Sequence, residues 1–116
     1  MEDATAPTIS YADFSKVEMR AGRIIKAEVF IGARVPAYKL LINFGELGDK
    51  KSSAQVTDLY TPEDLHGRMV IAVTNFPPKQ IGNFMSEVLV LGVVQEGKGV
   101  VLLKPDQDVE PGARVF

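Results

Sequence analysis

Two short segments of the sequence hold three candidates of the residue types that bind phosphate or catalyse reactions. The stretch from Gly92 to Gly99 nearly matches the phosphate-binding pattern GxxxxGK[ST], but its last position is glycine instead of a hydroxyl-bearing residue. It also lies between two predicted strands, whereas a phosphate-binding loop leads from a strand into a helix. We therefore predict that this segment is a hairpin turn.

The other two candidates, the adjacent acids Glu63 and Asp64 and the single histidine His66, fall in one short predicted helix. Carboxylates and an imidazole can act in acid–base catalysis. The two acids, however, occupy the first turn of this helix and His66 lies at its end, positions where these groups complement the helix dipole. No Ser-His-Asp arrangement is evident either. We predict that the protein is not an enzyme and has no catalytic residues.

Composition excludes several further classes of protein. The 116 residues suffice for one domain, and 46% hydrophobic with 24% charged residues is typical of a soluble globular protein. The lack of cysteine excludes disulfides, thiolate metal sites and a cysteine nucleophile, and one histidine excludes a multi-histidine metal site. No stretch approaches the roughly 18 apolar residues of a membrane helix. We expect a cytoplasmic protein without membrane insertion.

Most of the chain is predicted to form short strands. Residues 1–9 are predicted to be a flexible arm, and 10–116 a single domain of the OB-fold type. The fold class that the strand spacing predicts is all-β with short helices, a five-stranded Greek-key OB-fold barrel with an N-terminal helix and a C-terminal extension. The predicted elements are helices at 10–17 and 61–67, strands at 19–30, 38–44, 50–56, 68–74, 87–94 and 100–103, a loop at 75–84 and an irregular tail at 104–116.

Basic and polar residues concentrate on two neighbouring predicted strands. The net charge is −2, but the segment from Lys16 to Lys51 holds eight basic and four acidic residues. Lys39 and Asn43 alternate with an apolar strand face, and the segment from Lys50 to Gln55 is polar. If the two segments pair as a hairpin, cations and hydrogen-bonding groups share one sheet face, which suits a polyanion's backbone. A simply solvated strand face is the alternative.

Large apolar residues interrupt the predicted loop at 75–84 and the residues after it. They are Phe76, Ile81, Phe84 and Met85. Because loops usually run over the surface, these side chains either plug the barrel or form an exposed apolar patch that binds bases or an apolar peptide.

Four segments together resemble the tRNA-binding domain family, an OB-fold module found free-standing and appended to aminoacyl-tRNA synthetases. Within that family, residues 33–37, 52–55, 75–78 and 86–92 are similar to the CsaA-type proteins. The four segments are FSKVEMRAGRI at 14–24, AYKLLINFG at 37–45, YTPEDLHGR at 60–68 and NFPPKQIG at 75–82, which MSEVL at 85–89 continues.

The resemblance implies a non-enzymatic chaperone without a cofactor, which binds unfolded or export-competent polypeptides as a homodimer and has tRNA-binding capacity. A free-standing, structure-specific tRNA-binding protein is the alternative, although Leu89 stands where the RNA-binding branch usually carries methionine. The dimer is expected to form through the N-terminal helix region and the C-terminal segment. With the polar strand, the resemblance implies a face for peptide or tRNA made of Arg34, Lys39, Lys50, Lys51, Ser53, Gln55, Asn75, Phe76, Pro78, Lys79, Phe84 and Ser86.

Overall fold

The computed structural model describes residues 6–116, so the first five residues of the predicted arm lie outside the described part of the chain. Residues 6–9 have no regular secondary structure, and the domain boundary at residue 10 stays a prediction. The helices and strands are α1 (Tyr11–Ser15), β1 (Met19–Val29), β2 (Tyr38–Asn43), β3 (Asp49–Ala54), α2 (Pro62–Leu65), β4 (Met69–Val73), β5 (Lys79–Ile81), β6 (Phe84–Ser86), β7 (Leu89–Val90), β8 (Gly92–Gln95) and β9 (Gly99–Leu102).

Five antiparallel strands in the order β3-β2-β1-β4-β7 form the main sheet. The long strand β1 belongs to two halves of it: its first residues pair with β4 and its later residues with β2, with a ladder irregularity between Ile24 and Lys26. Gly22 directly precedes Arg23, the first residue of β1 that pairs with β2, and a Cβ there would come within 2.6 Å of the Ile42 and Phe44 side chains. Glycine therefore permits the close approach that curls the sheet.

The segment 86–88 closes the curled sheet against the free edge of β3, and we call this contact the seam. The Ser53 N–H donates to Ser86 Oγ at 3.0 Å, and the Lys51 N–H donates to a carboxylate oxygen of Glu87 at 2.9 Å. Ser52 Oγ donates to the Val88 carbonyl at 2.9 Å. Side chains thus replace part of a strand ladder, and the five strands form the nearly closed OB-fold barrel that the sequence predicts.

The barrel core confirms the alternating pattern of the second strand. Tyr38, Leu40, Ile42 and Phe44 are buried, while the residues between them are half-buried on the outer face. Burying an aliphatic side chain of this size contributes about 1.5–3 kcal/mol. Capping boxes start both helices, from Ser10 at α1 and Thr61 at α2, with Thr61 Oγ1 accepting from the Asp64 N–H.

Two predictions about the later part of the chain are wrong. Residues 75–84 are not all loop, because β5 and β6 form a hairpin that turns at Gly82, whose φ of +59° suits the first position of a type II′ turn. Residues 87–94 are not one buried strand either. The chain leaves the barrel after β7. Among the described residues β8 pairs with β9 alone, and its apolar residues are exposed. The predicted hairpin turn around Gly97 is confirmed.

The tail after residue 104 is irregular, as predicted, but its last part runs beside β1. The Gly112 N–H donates to the Ala21 carbonyl at 2.7 Å, and the Val115 N–H donates to the Met19 carbonyl at 2.9 Å. Arg114 also donates to the Ser15 carbonyl at the end of α1. The N-terminal helix and the C-terminal segment therefore lie together at one end of the molecule.

Candidate functional site

The β2–β3 hairpin presents a polar face on the outside of the barrel. Its register pairs Lys39 with Ser53 and Leu41 with Lys51, and side chains at these positions point away from the core because their neighbours in each strand are buried. Predicted pairing of the two polar segments is thus confirmed. Lys39, Lys51 and Ser53 share one side of the sheet, which we call the outer face.

Lys50 is a predicted site residue that the structure does not bring to this face. It pairs with Ile42, whose side chain is fully buried, so Lys50 alternates to the opposite side of β3 from Lys51. The run Lys50-Lys51 suggests one basic patch in the sequence, but a strand sends adjacent side chains to opposite faces.

The β5–β6 hairpin lies over the outer face and brings Phe84 onto it. Phe84 is only 9% exposed and packs edge-on against Phe30, with ring centroids 5.4 Å apart. Together with Ala37 they form a small cluster separate from the barrel core. Phe76, in contrast, is 53% exposed. Neither phenylalanine plugs the barrel. Of the two alternatives for these side chains, a barrel plug or an apolar surface outside it, the structure has the second.

Two lysines converge on the Phe84 ring. The Lys39 ammonium lies 5.4 Å from the ring centroid and 5.0 Å from that of Phe30, and the Lys51 ammonium lies 5.5 Å from the Phe84 centroid. Attraction to an aromatic face stabilises an exposed cation by roughly 0.5–1 kcal/mol. Among residues 6–116, no carboxylate forms an ion pair with either lysine. The rings hold two positive charges in place without neutralising them.

Two grooves flank this cluster and meet at Lys79. The first, of about 480 Å³, lies between the β1–β2 loop and β5 and is lined by Arg34, Ser53, Gln55 and Lys79 among others. The second, of about 330 Å³, we call the apolar slot. It is lined by Phe76, Pro77, Lys79, Ser86, Glu87, Val88 and Leu89. Cationic, hydrogen-bonding and apolar surfaces are therefore continuous on this side of the molecule.

Asn75 has a supporting position under the loop that carries Phe76. Its Nδ2 donates to the Lys16 carbonyl at 2.7 Å, and its Oδ1 accepts from the Glu18 N–H at 2.9 Å. The amide thus ties the loop to the segment after α1. Pro78, another predicted site residue, is exposed but lines neither of the two grooves.

Sequence reasoning missed Phe30 and Glu87. Phe30 follows a strand whose apolar residues are partly buried and partly exposed without a regular alternation, so no pattern marks it as part of the outer cluster. Glu87 looks like any surface acid, yet its carboxylate accepts a backbone bond in the seam. The motif around Ser86 is the one signal that pointed near it.

Glu18 joins the same support as Asn75. Hydrogen bonds from Thr74 and from Arg20 hold the pKa of the Glu18 carboxyl below its ordinary value of 4.5, since both favour the charged form. Arg20 also donates to the Gly112 carbonyl at 2.9 Å. This network links the start of β1, the end of β4 and the C-terminal segment.

Within the described part of the chain, no group of three or more His, Cys, Asp or Glu side chains is placed to hold a metal ion. A helix long and apolar enough to cross a membrane is also not found among residues 6–116.

A family model described as a putative tRNA binding domain matches residues 19–114. The structure superimposes on chaperone CsaA from Bacillus anthracis str. Ames with a TM-score of 0.90 and 49% identity, covering 95% of this chain and 100% of that one. For the CsaA chaperone protein from Picrophilus torridus the TM-score is 0.88 and the identity 52%, covering 94% and 100%.

Methionine–tRNA ligases are similar over a smaller part of their own length. Those of Archaeoglobus fulgidus and Thiobacillus denitrificans are each 36% identical, over 107 and 121 residues, which is 92% and 99% of this chain. The matched regions are 16% and 17% of the two ligases, so the chain spans about a sixth of these curated relatives.

The lowered pKa of Glu18 predicts how stability depends on pH. A carboxyl group whose pKa is lowered by folding stabilises the folded state above its unfolded pKa, and this contribution is lost as the pH falls through the folded pKa. We expect Glu18→Gln to lower the free energy of unfolding by a constant amount near neutral pH, and by progressively less below pH 4.5. Urea unfolding of both proteins across pH 3–7 measures the difference.

Glu96→Gln is the matched control because Glu96 is exposed in the β8–β9 turn. It should change stability little at any pH. A Glu18→Gln deficit that does not shrink in acid would contradict the proposed role of the charge.

Proposed function

The chain belongs to the tRNA-binding domain family, and we propose that it acts as a non-enzymatic, CsaA-like cytoplasmic chaperone. It binds unfolded or export-competent polypeptides as a homodimer and retains a capacity to bind tRNA. One observation carries the proposal: the short β5–β6 hairpin has the two lysines over Phe84 near its turn and the apolar slot at its other end, so an extended ligand can contact both.

Polypeptide binding is supported by the apolar slot. Unfolded chains expose apolar side chains that have no core of their own, and transferring such surface out of water contributes about 25 cal/mol per Å². Phe76, Pro77, Val88 and Leu89 supply this surface, and Phe76 remains exposed in the described structure. Neighbouring cations can pair with acidic groups of the same chain.

Binding of tRNA is supported by the unpaired cations. Lys39, Lys51, Lys79 and Arg34 lie around one aromatic cluster, and phosphate contacts of this kind release counterions from RNA. Exposed Phe76 offers a stacking surface worth about 1–3 kcal/mol for a base. The second candidate function is that of a protein that primarily binds tRNA and recognises the structure of the tRNA. The match to a tRNA-binding family model favours it.

A homodimer is supported by apolar groups on α1 and the C-terminal segment. Tyr11 is 73% exposed and Phe116 is 94% exposed. With Phe14, Val17 and Val115 they line a groove of about 350 Å³ between α1 and the C-terminal segment. A two-fold contact through this surface would cover these side chains. It would also give a long ligand two faces, which raises apparent affinity without new contacts.

A salt titration of tRNA and of an apolar peptide on the same sample tests the ligand proposal. We expect tRNA affinity to fall steeply with salt and peptide affinity to change little, because only the first depends mainly on counterion release. The double change Lys39→Gln with Lys51→Gln should lower the slope of log affinity against log salt by about 2 for tRNA.

Lys98→Gln with Lys104→Gln removes the same charge away from the outer face and is the matched control. It should leave the slope nearly unchanged. If the two double variants reduce the slope equally, tRNA does not use the Lys39–Lys51 pair; if no peptide binds at any salt concentration, the chaperone proposal fails.

The dimer is tested by placing a charge in its proposed contact. We expect Tyr11→Asp to shift the protein from dimer to monomer in analytical ultracentrifugation, since an unpaired carboxylate in an apolar contact is costly. Thr57→Asp adds the same charge on another part of the surface and should leave the dimer intact. A monomeric wild-type protein at micromolar concentration would overturn the proposal.

A further inference from the structure

The outer edge of β5 carries backbone groups that no strand uses. Ile81 and Phe84 flank the two-residue turn of the hairpin and form its closing hydrogen-bonded pair, so the next pair, Gln80 and Met85, is of the non-hydrogen-bonded type. The N–H and C=O of Gln80 therefore point away from β6. Within residues 6–116, β5 pairs with no strand other than β6.

This edge faces a groove and not another part of the barrel. The opposite side of the hairpin, β6, approaches β3 through the bond between Ser53 and Ser86. On the β5 side lies the groove of about 480 Å³, with the β1–β2 loop as its far wall and Ser53 and Gln55 also lining it. The space beside Gln80 is open along the strand.

The charges along the groove select the kind of ligand. Arg34 and Lys79 line it, and no acidic residue among residues 6–116 does. A segment lying in the groove is therefore favoured when it carries carboxylates. The half-buried Ile81 and Ala33 supply apolar surface beside them.

We propose that an extended, acidic polypeptide segment binds in this groove by adding a strand to the edge of β5. Its main chain exchanges two hydrogen bonds with the N–H and C=O of Gln80, and its carboxylates pair with Arg34 and Lys79. This inference rests on the proposed function, since it specifies how the polypeptide is held. Main-chain recognition also suits a ligand class of many sequences.

The polarity of the edge favours polypeptide over RNA. Gln80 offers one donor and one acceptor side by side, and an extended peptide presents the complementary acceptor and donor at the same spacing. Phosphate oxygens of RNA only accept, so pairing the Gln80 carbonyl would need a 2′-hydroxyl or base donor at the right spacing, whereas an extended peptide repeats its donor and acceptor along the chain. The ammonium groups of the two lysines over Phe84 do not distinguish polypeptide from RNA, since each can pair with a carboxylate or a phosphate.

The test removes the backbone N–H of residue 80 with a single substitution. Gln80→Pro deletes the N–H, which the hairpin does not use, and proline is tolerated on edge strands. Lys79 is already extended, as the residue before proline requires. Gln80→Ala retains the N–H and controls for the side chain. We expect a fluorescein-labelled acidic decapeptide to bind Gln80→Pro about 3- to 10-fold more weakly than Gln80→Ala, with tRNA affinity equal in both.

A second measurement leaves the protein unchanged and covers the case in which Gln80→Pro misfolds. Single N-methyl groups are moved along the decapeptide, and wild-type binding is measured by anisotropy. We expect a marked loss of affinity at one position of the peptide, whose N–H donates to the Gln80 carbonyl, and little loss at the two neighbouring positions, whose N–H groups point away from β5. Equal binding to Gln80→Pro and Gln80→Ala, or an N-methyl series without such a position, overturns the inference while peptide binding itself stands.

Two further outcomes separate the remaining possibilities. If Gln80→Pro weakens tRNA by the same factor as peptide, the edge is not selective for polypeptide and the inference fails. If the wild-type protein binds tRNA but no peptide, the chaperone proposal fails and this inference falls with it.

Discussion

Closure of the barrel by side chains at the seam is the constraint on which the binding face depends. Ser86 and Glu87 accept backbone bonds from β3 in place of a strand partner. Because these residues directly follow β6, the same bonds fix where the β5–β6 hairpin lies. The hairpin covers the outer face of β2 and β3 and not the barrel mouth. One short segment thus serves both stability and the placement of the ligand face.

The position of Phe84 follows from that placement. Two residues before the seam, its ring meets Phe30 and lies beneath the ammonium groups of Lys39 and Lys51. Flexible lysines on a bare strand would lose more conformational entropy on binding than lysines already held against an aromatic ring. A ligand with both anionic and apolar groups gains from this arrangement, because the apolar slot begins at the other end of the same hairpin.

Local patterns predicted much of the fold, while long-range contacts decided the site. The alternation from Tyr38 to Phe44 and the Thr61 cap depend on near neighbours, so the sequence reveals them. Asn75 is different: its amide bonds the backbone of Lys16 and Glu18, which are far away in the chain. The family resemblance suggested that Asn75 contacts the ligand but not that its side chain supports the loop that carries Phe76. The face of β3 on which Lys50 lies was likewise not predictable, because it follows from the pairing of Lys50 with Ile42 in the neighbouring strand.

The central claim is that polypeptide and tRNA use one face, and aggregation of a client protein tests it most directly. Light scattering of a thermally unfolding client is followed with the protein alone and with saturating tRNA. The account predicts that the protein suppresses aggregation and that tRNA abolishes the suppression by occupying the same surface. Suppression that persists undiminished under saturating tRNA, or no suppression at all, would contradict it.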